Sequence, residues 1–403
     1  MMGEKKMTKL TATFCIVTPL FMSGANQDKF ELRGASFKGV LRFWWRALAY
    51  GRFHGDLQQI HKEENHIFGS ADTGRGVFIL RISQPMPANV IEANQILKDA
   101  NDNVLGDGGI YLGYGLMHSN PNREKGTVKG QLLRPYLLGP SRFIVDLLFR
   151  DSVDESVVDA LKLLGLIGGL GSRSRRGFGS VTLEKMEGDI KWTAPLDVVS
   201  YRSEISSLLG SLAQGMPEYT ALTTNSRITL LDTGNDALSL LDIIGKKMQL
   251  YRSWGNHGKV GQVNSEKNFY QDHALAYDVA NGVIPPTHPQ RVVFGLPHNY
   301  YLSSSGLTPK QKKFDVVPDQ NTRRASPFMI HIHRFSDNSF AGVACILPAR
   351  FLPAGEKIKV KNNLVLQNID FKFLHDFLDG YEGQAGEKDH KRPYFPGKTE
   401  VYP

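Results

Sequence analysis

Residues 9–21 are rich in β-branched and aromatic side chains and show no helical period, which predicts a strand ending at Pro19. Residues 23–33, rich in Gly, Asn and Asp, predict a loop. The period then changes. Phe37, Val40, Leu41, Trp44, Trp45 and Leu48 fall on one face of a helix over 37–50, with Ser36 placed as its N-cap. Strands are predicted again over 77–82, 143–149 and 180–183, and a second amphipathic helix over 157–166 ends at Gly168 and Gly169. The order is β-α-β-β-α-β, the ferredoxin-like arrangement shared by many RNA-binding modules. A Gly- and Pro-punctuated stretch at about 84–139 reads as an insertion between the second and third strands.

The pattern weakens past about residue 195. Strands are predicted over 228–231, 291–294, 328–335 and 340–347, a long helix over 236–254 and a closing helix over 370–378. Residues 255–272 are polar and rich in Gly and Asn, and the tail after about 380 is charged and expected to be mobile. The expected class is α+β, with two ferredoxin-like (RRM-like) domains over 1–194 and 195–403 and a long insertion in the first.

Composition adds limits. With 41% hydrophobic and 22% charged residues, the chain can build ordinary cores and is not a disordered polymer. Its 48 Lys and Arg against 40 acids give +8, compatible with a polyanionic partner, so the placement of the charge has to decide. The two cysteines, Cys15 and Cys345, sit in apolar runs in opposite halves, which excludes a disulfide framework or a CxxC zinc site and points to a reducing cytoplasm. Thr11, Thr13, Thr18 and Pro19 break any signal-peptide core, and no run approaches the roughly 20 apolar residues of a membrane span. Neither membrane association nor a small-molecule cofactor is expected.

Two basic elements stand out. On the first helix Lys38, Arg42 and Arg46 are spaced by four and form one cationic line, with no acid nearby in sequence to offset their repulsion. A phosphate at this helix N-terminus, joined by Arg33 and Ser36, would relieve the cation placed in the first turn. A solvated helix face is the plain alternative. The second element is Gly171-Ser172-Arg173-Ser174-Arg175-Arg176-Gly177-Phe178-Gly179-Ser180, with three arginines in four positions bracketed by glycines. Such a loop offers backbone N–H groups and forked guanidinium donors to an anion. It precedes a strand and lacks the Walker lysine, so it is neither a dinucleotide fingerprint nor a P-loop. Arg176-Gly177-Phe178-Gly179 partly matches the RRM signature, but Ser180 and Leu183 stand where aromatics belong, which favours backbone contact over base stacking by that platform. A flexible hairpin with incidental arginines is the alternative here.

These residues resemble a known family. Thr18-Pro19-Leu20, Glu31-Leu32-Arg33 and the run from Ser36 through Trp44-Trp45-Arg46 resemble the RAMP superfamily of CRISPR proteins, and within it the first RAMP subunits of type III-B (Cmr) effectors. Ile67-Phe68-Gly69-Ser70, Tyr111-Leu112-Gly113-Tyr114-Gly115, Val293-Phe294-Gly295-Leu296-Pro297 and Arg323-Arg324-Ala325-Ser326-Pro327 agree with it. The resemblance implies two ferredoxin-like domains and a role near the 3′ end of a guide (crRNA). It also implies contacts to guide and target RNA and to other Cmr-type subunits. Carried onto this chain, the RNA-contacting candidates are Arg33, Ser36, Lys38, Arg42, Arg46, Gly171, Ser172, Arg173, Arg175, Arg176, Gly177, Arg323 and Arg324.

Catalysis is the competing class. A ribonuclease would need a histidine base such as His54, or a metal on an acid of the first loop, where Asp28 and Glu31 lie. His61 and His66 also follow the first helix. His331 and His333 share a strand face at a spacing open to metal, yet lack an obvious third ligand. No catalytic residue and no metal is therefore expected. A structural cap that packs Trp44 and Trp45 on neighbouring subunits is a third reading, although tryptophans at helical core spacing belong first to the core.

Overall fold

The computed structural model describes residues 7–83, 89–99, 101–210, 212–253, 259–260, 263–264, 266–302, 306–309, 311–380 and 393–403. Strand β1 (Thr8–Ile16) is followed by α1 (Gly34–Arg52), α2 (Leu57–Phe68), β2 (Phe78–Ser83), α3 (Asp107–Leu112), β3 (Ser141–Phe149), α4 (Glu155–Ile167) and β4 (Val181–Gly188). The strands form one antiparallel sheet in the order β2-β3-β1-β4, with a short strand at Trp192–Thr193 beyond β4. Burial alternates along β3, so Phe143, Val145, Leu147 and Phe149 face the helices while the intervening residues stay partly exposed. Phe37, Leu41, Trp44, Trp45 and Leu48 of α1 fill the layer beneath it. Both tryptophans are core residues, and Trp45 Nε1 donates to Ser156 Oγ (2.7 Å).

The second half repeats the plan. After α5 (Val198–Leu208) come β5 (Arg227–Gly234), α6 (Ala237–Arg252), α7 (Tyr270–Ala280), β6 (His298–Tyr301), β7 (Lys313–Pro318), β8 (Phe328–Arg334), β9 (Phe340–Ile346), β10 (Ile358–Val360), β11 (Asn363–Val365), α8 (Lys372–Asp379) and β12 (Thr399–Tyr402). The main sheet runs β8-β9-β5-β12, the same ferredoxin-like order as the first, with α6 and α8 as its helices. Residues between α6 and β8 and between β9 and α8 add a smaller sheet, β6-β7-β10-β11. The stretch 291–294, expected as a strand, is part of a 3₁₀ turn (Gln290–Phe294), because Asp272 draws the N–H groups of Gln290 and Arg291 away from any ladder (2.6 and 2.9 Å). The tail expected to be mobile has a strand at its end, β12 on β5. Residues 381–392 of that tail, and parts of 255–272, lie outside the described residues.

The two sheets share their cores. The division expected at 194/195 falls just before α5, whose Tyr201 and Ile205 pack in one cluster with α1, α4 and the near face of the second sheet (Met329, Val343, Cys345). The far face (Phe328, Ile330, Ile332) packs on α6, α8 and the first-domain insertion. There α3 crosses α6 with Gly108 against Gly245, where a Cβ on either would lie 2.1 Å from a backbone atom of the other helix.

His331 and His333 are buried where α4 meets β8. His331 Nδ1 donates to the Gly168 carbonyl (2.7 Å), and His333 is sandwiched between Tyr201 and Phe335. Burial holds the His331 imidazole down at about 3 and His333 well below its ordinary value of 6.5. Well above pH 6.5 both rings are neutral in the folded and the unfolded chain alike. Below it the unfolded chain binds protons that the folded chain refuses, so stability present at pH 7 is lost as pH falls. The pair should cost about 2 kcal/mol between pH 7 and about pH 5.5, read from thermal melts at constant ionic strength. His333→Phe should flatten that dependence.

Candidate nucleic-acid interface

The segment joining α4 to β4 is a clamped junction between the domains. Leu170 N–H donates to the Gly179 carbonyl (2.8 Å), Gly179 N–H to the Pro19 carbonyl (2.9 Å) and Ser172 N–H to the Phe21 carbonyl (2.8 Å). Buried Thr18 donates its hydroxyl to the Gly177 carbonyl (2.6 Å) and accepts from Ser180 N–H (2.9 Å). From the other side the loop covers the outer edge of β8. The Arg175 carbonyl takes Ile330 N–H (3.0 Å), Ser180 Oγ takes Ile332 N–H (3.0 Å), and Thr182 Oγ1 takes Arg334 N–H (3.1 Å). A serine stands where an RRM would carry an aromatic because its hydroxyl satisfies a buried strand edge. Phe178 is fully buried against Phe21, so it offers no face to a base. The flexible-hairpin alternative does not fit this bonding.

What the clamp displays is arginine. Arg173 is exposed at φ +61°, a left-handed conformation in which glycine would sit with less strain. Arg175 donates to the Ser326 carbonyl (2.8 Å) and lies over the Phe43 ring (5.2 Å). The other domain adds Arg323, Arg324 and, from the end of α6, Arg252, whose Nη1 donates to Tyr111 Oη (2.8 Å). Among the described residues none of the guanidinium groups of Arg173, Arg175, Arg176, Arg252, Arg323 and Arg324 has a carboxylate in ion-pair reach, and the buried Nε atoms of Arg252 and Arg324 have no acceptor. Burial lowers the proton affinity of Arg173, Arg176 and Arg252, and successive neighbours (Arg323, Arg173, Arg176) lower it further. Burial pushes Arg175 down to about 10, with Arg324 adding to the effect. Concentrated positive charge without a compensating carboxylate is chemically suited to an anion.

A cleft of about 830 Å³ continues from this cluster between the domains, lined by Arg46, His61, Arg323, Arg324 and Arg350 over an apolar floor that includes Phe43 and Phe351. A sequence profile of the RAMP superfamily matches residues 13–182, from β1 through the clamped loop. Residues 13–182 are thus similar to the RAMP superfamily. The chain is similar to two CRISPR system Cmr subunits of Pyrococcus furiosus. Cmr1-2 is 28% identical over 172 residues, 42% of this chain and 92% of that protein. Cmr1-1 is 30% identical over 167 residues, 40% of this chain and 43% of that protein. The crystal structure of apo Cmr1 from Pyrococcus furiosus superposes with a TM-score of 0.53 at 18% identity, covering 98% of each chain, which establishes a shared fold.

On α1 the geometry corrects the sequence reading. Arg33 is the N-cap and Ser36 lies inside the helix, with no side-chain cap bond. Lys38 is therefore beyond the first turn, and its ammonium donates to the Phe68 carbonyl (2.8 Å). Arg33 pairs with Glu31 (3.7 Å). The line is not without an acid: Glu64, buried on α2, takes Arg42 and Arg46 together (3.0 Å to Arg46). These cations are largely spent within the fold, although Arg46 still borders the cleft. Arg42→Ala should cost about 1–3 kcal/mol in chemical denaturation, because it deprives a buried carboxylate of one partner. It should change RNA affinity by less than a change in the loop does.

Asp28 is exposed, its own N–H donating to Asn26 Oδ1 (2.9 Å), and His54 is exposed just past α1. No three His, Cys, Asp or Glu among the described residues gather as metal ligands. No helix among them is long and apolar enough to cross a membrane. Sequence reasoning misses Arg252 and Tyr111 as neighbours of the loop, both within electrostatic range of Arg176. Arg252 falls near the end of a predicted helix, but nothing local places that end beside residues 171–180.

Proposed function

We propose that this chain is a non-catalytic, RNA-binding RAMP subunit of a type III-B CRISPR effector, contacting the backbone of guide RNA, and of target RNA, near the guide 3′ end. The uncompensated arginine cluster on the clamped loop carries the reading. Phosphate contacts of this kind position an RNA without reading its sequence. The similarity to Cmr1 subunits supplies the assembly, and the other Cmr-type subunits are its protein partners. The first test is binding of labelled single-stranded RNA by the full chain across a salt series. Affinity should fall steeply with salt, the log–log slope gaining about 0.7 per phosphate engaged. No measurable binding would instead favour a capping subunit that acts through protein contacts.

A further inference from the structure

We propose that the loop takes its RNA single-stranded, with one unpaired base stacked on the face of Tyr114. This rests on the RNA-binding reading of the loop and adds the state of the strand.

Tyr114 is a large aromatic left 61% exposed beside the arginine cluster. It sits on a fixed pedestal. Gly113 N–H donates to the Gly109 carbonyl (2.9 Å) and Leu116 N–H to the Gly113 carbonyl (2.8 Å), while Asp242 Oδ1 holds Gly109 N–H (3.0 Å) from α6. Gly113 lies so close over Met117 and Phe178 that a Cβ there would approach them to 2.7 and 3.0 Å. The next residue but one, Gly115 (φ +84°), brings the turn against the loop: a Cβ on it would stand 3.2 Å from Arg173 Nη2.

An exposed ring and an exposed guanidinium thus share one rigid surface, and Arg323 adds a third group within electrostatic range of Arg173. Phosphates on the arginines would leave the attached base beside the ring. Bases in a duplex are already stacked on one another and cannot use that face, whereas a single strand can. The signature aromatic Phe178 is committed to the core, so a base platform at this loop has to come from Tyr114.

The test compares wild type, Tyr114→Ala, Tyr114→Phe and the double variant Arg173→Gly with Arg176→Ala, each as the full chain. The probes are a labelled single-stranded RNA, the same RNA in a duplex, and a single strand with abasic sites. Tyr114→Ala should weaken single-strand binding about tenfold with the salt slope unchanged, and leave duplex and abasic binding unaltered. Tyr114→Phe should bind as wild type. Undiminished single-strand binding by Tyr114→Ala, beside weakened binding by the double arginine variant, overturns stacking and leaves the phosphate reading standing. Equal wild-type affinity for duplex and single strand also overturns it. If neither variant weakens binding, the RNA reading of the loop falls as well.

Discussion

Gly179→Ala should unfold the junction between the two domains, lowering stability by about 3 kcal/mol or more in chemical denaturation. The residue sits at φ +63°, and an added Cβ would lie 2.0 Å from the Leu170 carbonyl oxygen and 3.1 Å from Leu20 Cδ1. It has no room to relax, since its N–H is held by Pro19 and its carbonyl by Leu170. Any shift that relieves the clash pulls Ser180 and Arg175 off the edge of β8, exposing N–H groups that nothing else satisfies. Gly74 is the control. It has a similar φ of +76°, and a Cβ there would meet nothing within 4 Å, so Gly74→Ala should cost only about 1 kcal/mol. Equal effects of the two substitutions would mean that left-handed strain alone matters and that the junction is not clamped.

The second large effect falls on binding. Arg173→Gly with Arg176→Ala should weaken single-stranded RNA binding about tenfold to a hundredfold near 0.1 M salt and flatten the salt slope by about 1.4. Its stability should stay within about 1 kcal/mol of the parent, because glycine relieves the positive φ of Arg173 and neither guanidinium bonds to the protein among the described residues. Arg175 is left in place deliberately. Its bond to the Ser326 carbonyl and its contact with Phe43 tie the domains, so its removal would mix lost folding with lost binding. An unchanged slope in the double variant would place the RNA elsewhere.

The sequence and the structure agree where information is local. Alternation over β3, the apolar stripe from Phe37 to Leu48 and the β-α-β-β-α-β order are all legible, and both sheets take the ferredoxin-like strand order. The differences arise where the partner is distant in sequence. Helix α2 buries Glu64 and Asn65 on the same face as Ile60, Ile67 and Phe68, so polar residues interrupt its apolar stripe, which hides Glu64, the acid that neutralises Arg42 and Arg46. The apolar run at 291–294 has strand composition, but Asp272 on α7 captures its N–H groups. The three loop arginines stand out because glycine and charge crowd into ten residues. Arg252 and Tyr111 are brought together only by the crossing of α3 and α6 at Gly108 and Gly245.

The central claim is that the 171–180 loop holds RNA in the assembled effector. It is tested most directly by photocrosslinking an effector reconstituted with guide RNA that carries 4-thiouridine at each uridine in turn, followed by mapping of the adducted peptides. Adducts confined to one register of the guide and falling on residues 171–180 and 111–115 are the expected result. Adducts on this chain that avoid both segments, or none on this chain at any position, would contradict it.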